Sequence, residues 1–355
     1  MTIHEKYMLR CLQLAKLGAG NVAPNPMVGA VLVNGARIIG EGYHHRLGGP
    51  HAEPNCLASV KQEDRHLIGQ SVMYVSLEPC VHFGKTPPCA DLIIDNKIPK
   101  VVIGCRDPFR QVNGKGIEKL RAAGIEVEQN ILKEPCEELN KRFFVFHTEH
   151  RPYIILKWAQ TSNGKIAATH TTGPGRLFIT NEQTNRLVHR WRSEESAILI
   201  GTKTALMDDP QLTVRLWPGH NPIRLVIDME LKLPSSLKIF SHDARTIVFN
   251  KVKHETKDNV AFYQVTDDVS LVHQVSNALY GLKIQSVIVE GGAQLIQSFI
   301  EEGIWDEARI ITNRQLAIGD GLSSPVLNKC VKMNEQNILS DVIEFYKPIR
   351  PQPGT

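Results

Sequence analysis

The spacing of apolar and polar residues changes period repeatedly along the chain, and each change marks an element. Apolar residues recur at helical spacing over 5–18, from Tyr7, Met8 and Leu9 to Leu17, with Gly18 and Gly20 ending the run. The apolar stretches 28–33 and 38–42 flank Asn34-Gly35, a pair suited to the positive φ angles of a tight turn, and predict a hairpin. His51 opens a helix that tolerates Pro54 in its first turn, where a missing N–H has no partner to lose. A strand over 72–77 delivers Glu78-Pro79-Cys80. Next come a helix from Cys89 to about Lys97, a strand over 101–105, a helix near 115–123 and a strand over 125–127. This alternation predicts a layered sheet with helices on both faces. A charged helix over 134–146 then leads to Arg151-Pro152, where the pattern restarts. Strands are expected over 153–158, 197–200, 223–227, 246–249, 260–265, 286–289 and 307–312. Helices are expected over 181–193, 269–279 and 293–302, the first with Leu187, Val188 and Trp191 as its apolar side. No internal repeat relates the halves, so the expectation is two unlike α/β domains, 1–149 and 150–355.

Length supports the same division, since 355 residues exceed the roughly 100–200 of a usual domain. No apolar run approaches the roughly 18–20 residues of a membrane span, and the N-terminus lacks the apolar core of a secretory signal. A net charge of +4 over the whole chain fits a mixed solvated surface better than a nucleic-acid or membrane partner. Seven cysteines at irregular spacings suit a reduced cytosolic compartment rather than a disulfide framework. Of these, Cys11, Cys56, Cys105, Cys136 and Cys330 read as small buried hydrophobes. The expectation is a cytoplasmic enzyme for a small molecule, assembled as a homo-oligomer on base rates.

Cys80 and Cys89 read differently, because they follow His51-Ala52-Glu53. One imidazole and two thiolates supply three zinc ligands and leave the fourth tetrahedral position for water, as in catalytic sites. Glu53 stands where it can carry protons without serving as a ligand. The pattern is the H-x-E…P-C-x-x-C signature of zinc nucleobase deaminases, with Cys-x8-Cys in place of Cys-x2-Cys. Water on such an ion ionises near pH ~7 and can attack an amidine carbon of a heterocycle. Each cysteine sits at or near a predicted helix start, where backbone N–H groups stabilise thiolate. A structural site with His82 or Cys56 as fourth ligand leaves Glu53 and the Pro-Cys turn unexplained. A nucleic-acid base deaminase predicts the shorter cysteine spacing and a basic or aromatic arm.

The second half offers weaker signals. Glu290-Gly291-Gly292 ends a strand and begins a helix, which suits either a pyrophosphate or a plain turn. Asp208-Asp209-Pro210-Gln211-Leu212-Thr213-Val214-Arg215 combines paired carboxylates with an arginine, as a functional loop or as a turn with a salt bridge.

Taken together, several segments resemble the bifunctional riboflavin-biosynthesis deaminase/reductases. In the first half these are Ala23-Pro24-Asn25-Pro26-Met27-Val28-Gly29, Glu41-Gly42-Tyr43-His44, His51-Ala52-Glu53 and Leu77-Glu78-Pro79-Cys80 with Gly84-Lys85-Thr86-Pro87-Pro88-Cys89. In the second they are Ser162-Asn163-Gly164-Lys165-Ile166-Ala167, Gly201-Thr202, the Asp208–Arg215 run and Val289-Glu290-Gly291-Gly292. The resemblance implies a cytidine-deaminase-like α/β/α layer followed by a dihydrofolate-reductase-like α/β domain. It implies one Zn2+ per chain on His51, Cys80 and Cys89, with Glu53 as proton shuttle. The implied substrate is 2,5-diamino-6-(5-phosphoribosylamino)pyrimidin-4-one, deaminated to the uracil and then reduced by NADPH from ribosyl to ribityl. Asn25, His44 and Lys85 are implied substrate contacts in the first site, and Asp107-Pro108 and Asn113-Gly114-Lys115-Gly116 fit a further substrate loop. In the second, Ala159, Phe178, Thr204, Asp208 and the stretch from Gly292 to Ser298 would face the cofactor. Arg192, Leu212, Arg215 and Glu290 would face the phosphorylated substrate, the two arginines as phosphate forks. Lys157 is the candidate acid of the reduction. The chain departs from the family at Pro54, Asn55, Val81 and Asn163, and its 170–176 segment is longer than usual.

Overall fold

The protein is described from a computed structural model, which places residues 1–82, 87–168 and 178–350. It divides into two compact units, Met1–His150 and Arg151–Thr355. Among the described residues no helix is long and apolar enough to cross a membrane.

In the first unit the order is α1 (Ile3–Ala15), β1 (Gly29–Asn34), β2 (Arg37–Tyr43), α2 (Ala52–Ala58), β3 (Val72–Leu77), α3 (Cys89–Asp95), β4 (Lys100–Cys105), α4 (Lys115–Ala122), β5 (Glu126–Glu128), α5 (Lys133–Leu139) and α6 (Lys141–Thr148). The sheet runs β2-β1-β3-β4-β5, antiparallel across β2-β1-β3 and parallel from β3 to β5. Strand residues alternate faces. Ala30, Leu32, Met73, Val75, Val101 and Ile103 pack under α2, α3 and α4 through Cys56, Ile93 and Leu120. Val31, Val33, Tyr74 and Val102 pack under α1 and α5 through Met8, Leu12 and Cys136. This is the layered arrangement the alternation predicts, with helices on both faces.

Two local features set the geometry of the first site. Helix α2 lies directly on β2: a Cβ at Gly42 would come 2.2 Å from the backbone nitrogen of Cys56, so only glycine permits the approach. The single helix expected over 134–146 is broken at Asn140 into α5 and α6. The Asn140 side chain, 4% exposed, accepts from the Met27 N–H at 2.8 Å and donates to the Met27 carbonyl at 2.9 Å. That tertiary pair overrides local helix propensity and pins the segment carrying Asn25.

The second unit contains β6 (Tyr153–Thr161), β7 (Lys165–Ala168), α7 (Glu182–Glu194), β8 (Ala197–Ile200), α8 (Thr202–Asp208), β9 (Ile223–Ile227), β10 (Thr246–Asn250), β11 (Glu255–Lys257), β12 (Val260–Gln264), α9 (Leu271–Gly281), β13 (Ser286–Gly291), α10 (Ala293–Glu301), β14 (Glu307–Asn313), β15 (Gly321–Ser323), β16 (Cys330–Ile338) and β17 (Asp341–Pro348). Its large sheet runs β11-β12-β10-β9-β8-β13-β6-β14-β17-β16, and β15 pairs separately with β7. The central strands are parallel and apolar on both faces, as strands covered by helices should be. One face packs on α9 and α10 through Val275, Leu279, Phe299 and Ile300. On the other, Ile198, Ile200, Val226 and Val248 meet Ala205 and Leu212. The sequence pattern does not foretell the β16–β17 hairpin, because β16 is exposed along most of its length.

Candidate active sites

In the first unit three stretches bring the expected ligands together. His51 is the N-cap of α2, Cys80 follows β3, and Cys89 is the first residue of α3. The His51 Nδ1 atom lies 3.6 Å from Cys80 Sγ and 3.4 Å from Cys89 Sγ, and the ligand atoms all fall within 4.8 Å of one another. Tetrahedral coordination with Zn–N of about 2.0–2.1 Å and Zn–S of about 2.3 Å requires N···S separations of roughly 3.6 Å, so the three side chains fit zinc. Among the described residues this metal-competent group has three members. Cys56 is buried in the core under α2, and His82 stands edge-on to Phe109 at 6.0 Å, so neither of these alternative fourth ligands joins it.

The electrostatics suit the same chemistry. Hydrogen bonds from Cys89 and His51 pull the Cys80 thiol well below its ordinary range, and the backbone N–H of Cys89 also donates to its sulfur. The hydrogen bond with Cys80, and then burial, push Cys89 up, as expected when two thiols share one proton. Glu53, 3% exposed, has its carboxyl raised first by burial and then by the Cys80 charge. A buried, raised carboxyl beside a metal-competent group is suited to moving protons.

Asn25 and His44 are adjacent. The Asn25 amide donates to His44 Nε2 at 3.2 Å, while His44 Nδ1 donates to the Pro50 carbonyl at 2.9 Å. The His44 ring is 2% exposed, burial lowers its pKa, and both nitrogens already have partners. The structure thus uses His44 to orient Asn25. Lys85 lies outside the described residues.

Sequence reasoning assigns no role to Glu78. Its buried carboxylate accepts from the N–H groups of Asp107, Gly114, Gly116 and Ile117 at 3.2, 2.9, 2.9 and 3.2 Å. It thereby ties the loop before α4 to the Pro79-Cys80 turn, and a Cβ at Gly116 would stand 2.2 Å from the Pro79 carbonyl. The N–H groups of Gly114 and Gly116, in the expected substrate loop, are engaged by this tether. Burial raises Asp107 to about 7, with the Glu78 and Cys80 charges adding to the effect.

In the second unit residues of β6, β13, α7 and α8 come together. Arg192 on α7 donates through Nε and Nη2 to Glu290 at 3.1 and 2.7 Å, and Lys157 Nζ stands 3.8 Å from the same carboxylate. The expected Arg192 phosphate fork is thus directed at a buried glutamate. Ala159 shares a face of β6 with Lys157 and is half-buried. Thr204 Oγ1 lies close enough to Gly291 and Gly292 that a Cβ on either glycine would stand 3.3 Å from it, and Gly201 donates to the Gly291 carbonyl at 2.9 Å. Gly292 is the N-cap of α10 and lacks a side-chain cap. Leu212 is buried in a left-handed conformation, and the side chain of Arg215 is exposed. Phe178, 76% exposed, and Asp208, at the exposed end of α8, lie outside the enclosed group. Paired carboxylates in the sequence divide here: Asp209 accepts from the Lys238 N–H at 2.8 Å and forms an ion pair with its side chain. His189, unassigned from sequence, is 2% exposed and accepts the Arg215 backbone N–H at 3.0 Å.

Comparison with known proteins follows this division. Residues 1–105 match the cytidine and deoxycytidylate deaminase zinc-binding region, and residues 152–321 match the RibD C-terminal domain. The riboflavin biosynthesis protein RibD of Aquifex aeolicus is 39% identical over 97% of this chain and 98% of its own length. A crystal structure from Thermotoga maritima, named as a diaminohydroxyphosphoribosylaminopyrimidine deaminase and 5-amino-6-(5-phosphoribosylamino)uracil reductase, superposes with a TM-score of 0.87 at 37% identity, covering 97% of this chain and 98% of that one. Acinetobacter baumannii RibD gives 0.88 at 30% identity, over 98% and 99%. Likeness of this extent, in both halves and in the same order, makes the chain a member of the RibD family, the bifunctional deaminase/reductases of riboflavin biosynthesis.

Proposed function

We propose that the first unit converts 2,5-diamino-6-(5-phosphoribosylamino)pyrimidin-4-one hydrolytically to the corresponding uracil. The second unit then reduces its ribosyl group to ribityl with NADPH. The observation that carries the first step is the three-ligand group beside a buried, raised glutamate. Whole-length similarity to a protein named for both activities supports the pair.

His51, Cys80 and Cys89 would hold zinc. Zinc held there would supply the Lewis acidity that makes water nucleophilic near pH ~7. Glu53 carries one proton of the attacking water to the ring nitrogen as the C–O bond forms, then the proton of the new hydroxyl to the amine, which leaves as ammonia while the carbonyl forms. Asn25, oriented by His44, holds the heterocycle, and Lys85 meets the 5-phosphate by charge. In the second unit NADPH, when bound, would supply hydride. Ala159, Thr204 and the Gly292–α10 start line its site, with Phe178 and Asp208 at the rim. Arg215 binds the substrate phosphate, and Leu212 closes the apolar side. Arg192 and Lys157 hold Glu290 where it can accept from substrate hydroxyls, and Lys157 delivers the proton that completes the reduction.

The enzyme works on this small molecule in the cytoplasm as a homo-oligomer, without nucleic-acid or membrane partners. Light scattering at micromolar concentration checks the assembly, and a monomeric mass contradicts it. The activity is tested by ammonia release from the phosphoribosyl diaminopyrimidine, from cytidine and from single-stranded nucleic acid. Release from the first alone is expected; release from cytidine or nucleic acid at comparable rates overturns the substrate assignment.

A further inference from the structure

Helix α7 carries two buried polar residues three positions apart, His189 and Arg192, which share one face of the helix. Arg192 ties that face to Glu290 at the end of β13. His189 ties it to the segment 209–215, which is neither helix nor strand. We propose that His189 is a positioning residue for phosphate recognition in the reductase cleft, fixing the backbone that carries Arg215. This rests on the reading of that cleft given above.

A segment outside helix and sheet must satisfy its N–H groups by other means. Here side chains do so at consecutive residues: the Val214 N–H donates to Asn221 Oδ1 at 2.8 Å, and the Arg215 N–H donates to His189 Nδ1 at 3.0 Å. Upstream, Leu212 holds a left-handed φ of 55° while its side chain packs into the core with Ile198 and Ile200. Arg215 Nη1 donates back to Thr213 Oγ1 at 2.9 Å, which directs the guanidinium along the segment. His189 joins this pinned segment to α7, so its imidazole helps to set the placement of Arg215 relative to Glu290. Burial, together with the cations Arg192 and Arg215, holds the ring to a pKa of about 4 against the pull of Glu290. Near neutrality the imidazole is therefore uncharged. Its proton sits on Nε2, leaving Nδ1 to accept, a tautomer assigned from the hydrogen bond.

The test uses the full-length, zinc-loaded chain at saturating NADPH. The substrates are the phosphoribosylamino uracil and its dephosphorylated analogue. His189→Leu removes the acceptor. It is expected to raise KM for the phosphorylated substrate on the order of tenfold, the effect of disturbing a charged hydrogen bond, while kcat and the KM of the dephosphorylated analogue stay put. His189→Asn places an amide oxygen near the lost Nδ1 and should restore most of the loss. In an Arg215→Ala background, His189→Leu should raise KM no further, because the group it positions is already gone. Equal rises for both substrates, additive effects of the two substitutions, or an unchanged KM for the phosphorylated substrate overturn the proposal. Should His189→Leu fail to fold, His189→Gln, whose amide cannot occupy the Nδ1 place, takes the same reading. Failure of the wild-type chain to reduce the phosphorylated uracil would instead overturn the activity assigned to the cleft.

Discussion

In Met1–His150 the metal-competent side chains come from three short stretches, two of them at helix starts, with Glu53 two residues beyond the first ligand. In Arg151–Thr355 the candidate site residues come from strands and helices far apart in sequence, and their central ion pair joins residues 98 apart. The first kind of site depends on residue identity: imidazole and thiolate bind zinc wherever a fold gathers them, and few other residues substitute. The second depends on which carboxylate faces which guanidinium, a property of the assembled fold. A catalytic metal site can therefore be read locally, whereas a recognition cleft can be read only through its partners.

The largest expected separation between the two sites comes from Glu53→Gln. Ammonia release should fall by about 10²–10⁴, the usual contribution of a general acid–base group, with zinc content unchanged. NADPH oxidation with the uracil intermediate supplied should keep its wild-type rate, and a parallel loss there would show that the two sites are not independent. Arg215→Ala is the complementary break. It should raise the reductase KM by roughly 1.5–3 kcal/mol of lost charged hydrogen bonding while deamination continues, as steady-state kinetics on each half-reaction would show. Asn140→Ala sharpens the comparison from the side of structure. Leaving the Met27 N–H and carbonyl unpaired should cost about 1–3 kcal/mol, read as a lower denaturant midpoint of the first transition, with reductase kinetics unchanged.

The smallest effect is a pH dependence confined to the second unit. Burial lowers the folded-state pKa of His189 to about 4 from 6.5, so its contribution to stability is fully present above 6.5. That contribution is lost progressively as pH falls through 6.5 toward 4, because the unfolded chain takes up the proton first. Urea midpoints measured across this window should decline in the wild type, and His189→Asn should flatten the slope.

The alternation of periods marks most elements of both sheets, and the resemblance carried by His51-Ala52-Glu53 and Pro79-Cys80 points to the chemistry from sequence alone. Where sequence reading fell short, a distant partner decided the outcome. Met27 breaks the helix expected over 134–146 by engaging Asn140. Four backbone N–H groups from beyond Cys105 give Glu78 its role, although Leu77-Glu78-Pro79-Cys80 stood in plain view. Glu290 turns the Arg192 fork inward. His189 lies within a polar helix and offers no local sign that its ring is buried. Only the backbone of Arg215, brought against it by the fold, reveals what it does.

The central claim is that two separate sites act in sequence on one phosphorylated pyrimidine. Ammonia release and NADPH oxidation followed separately, with the diaminopyrimidine as sole substrate, test it most directly in the wild type and in Glu53→Gln. The account predicts that NADPH loss follows ammonia release in the wild type. In Glu53→Gln neither should occur until the uracil intermediate is added, whereupon NADPH loss resumes. NADPH oxidation by Glu53→Gln on the diaminopyrimidine itself, without ammonia release, would contradict it.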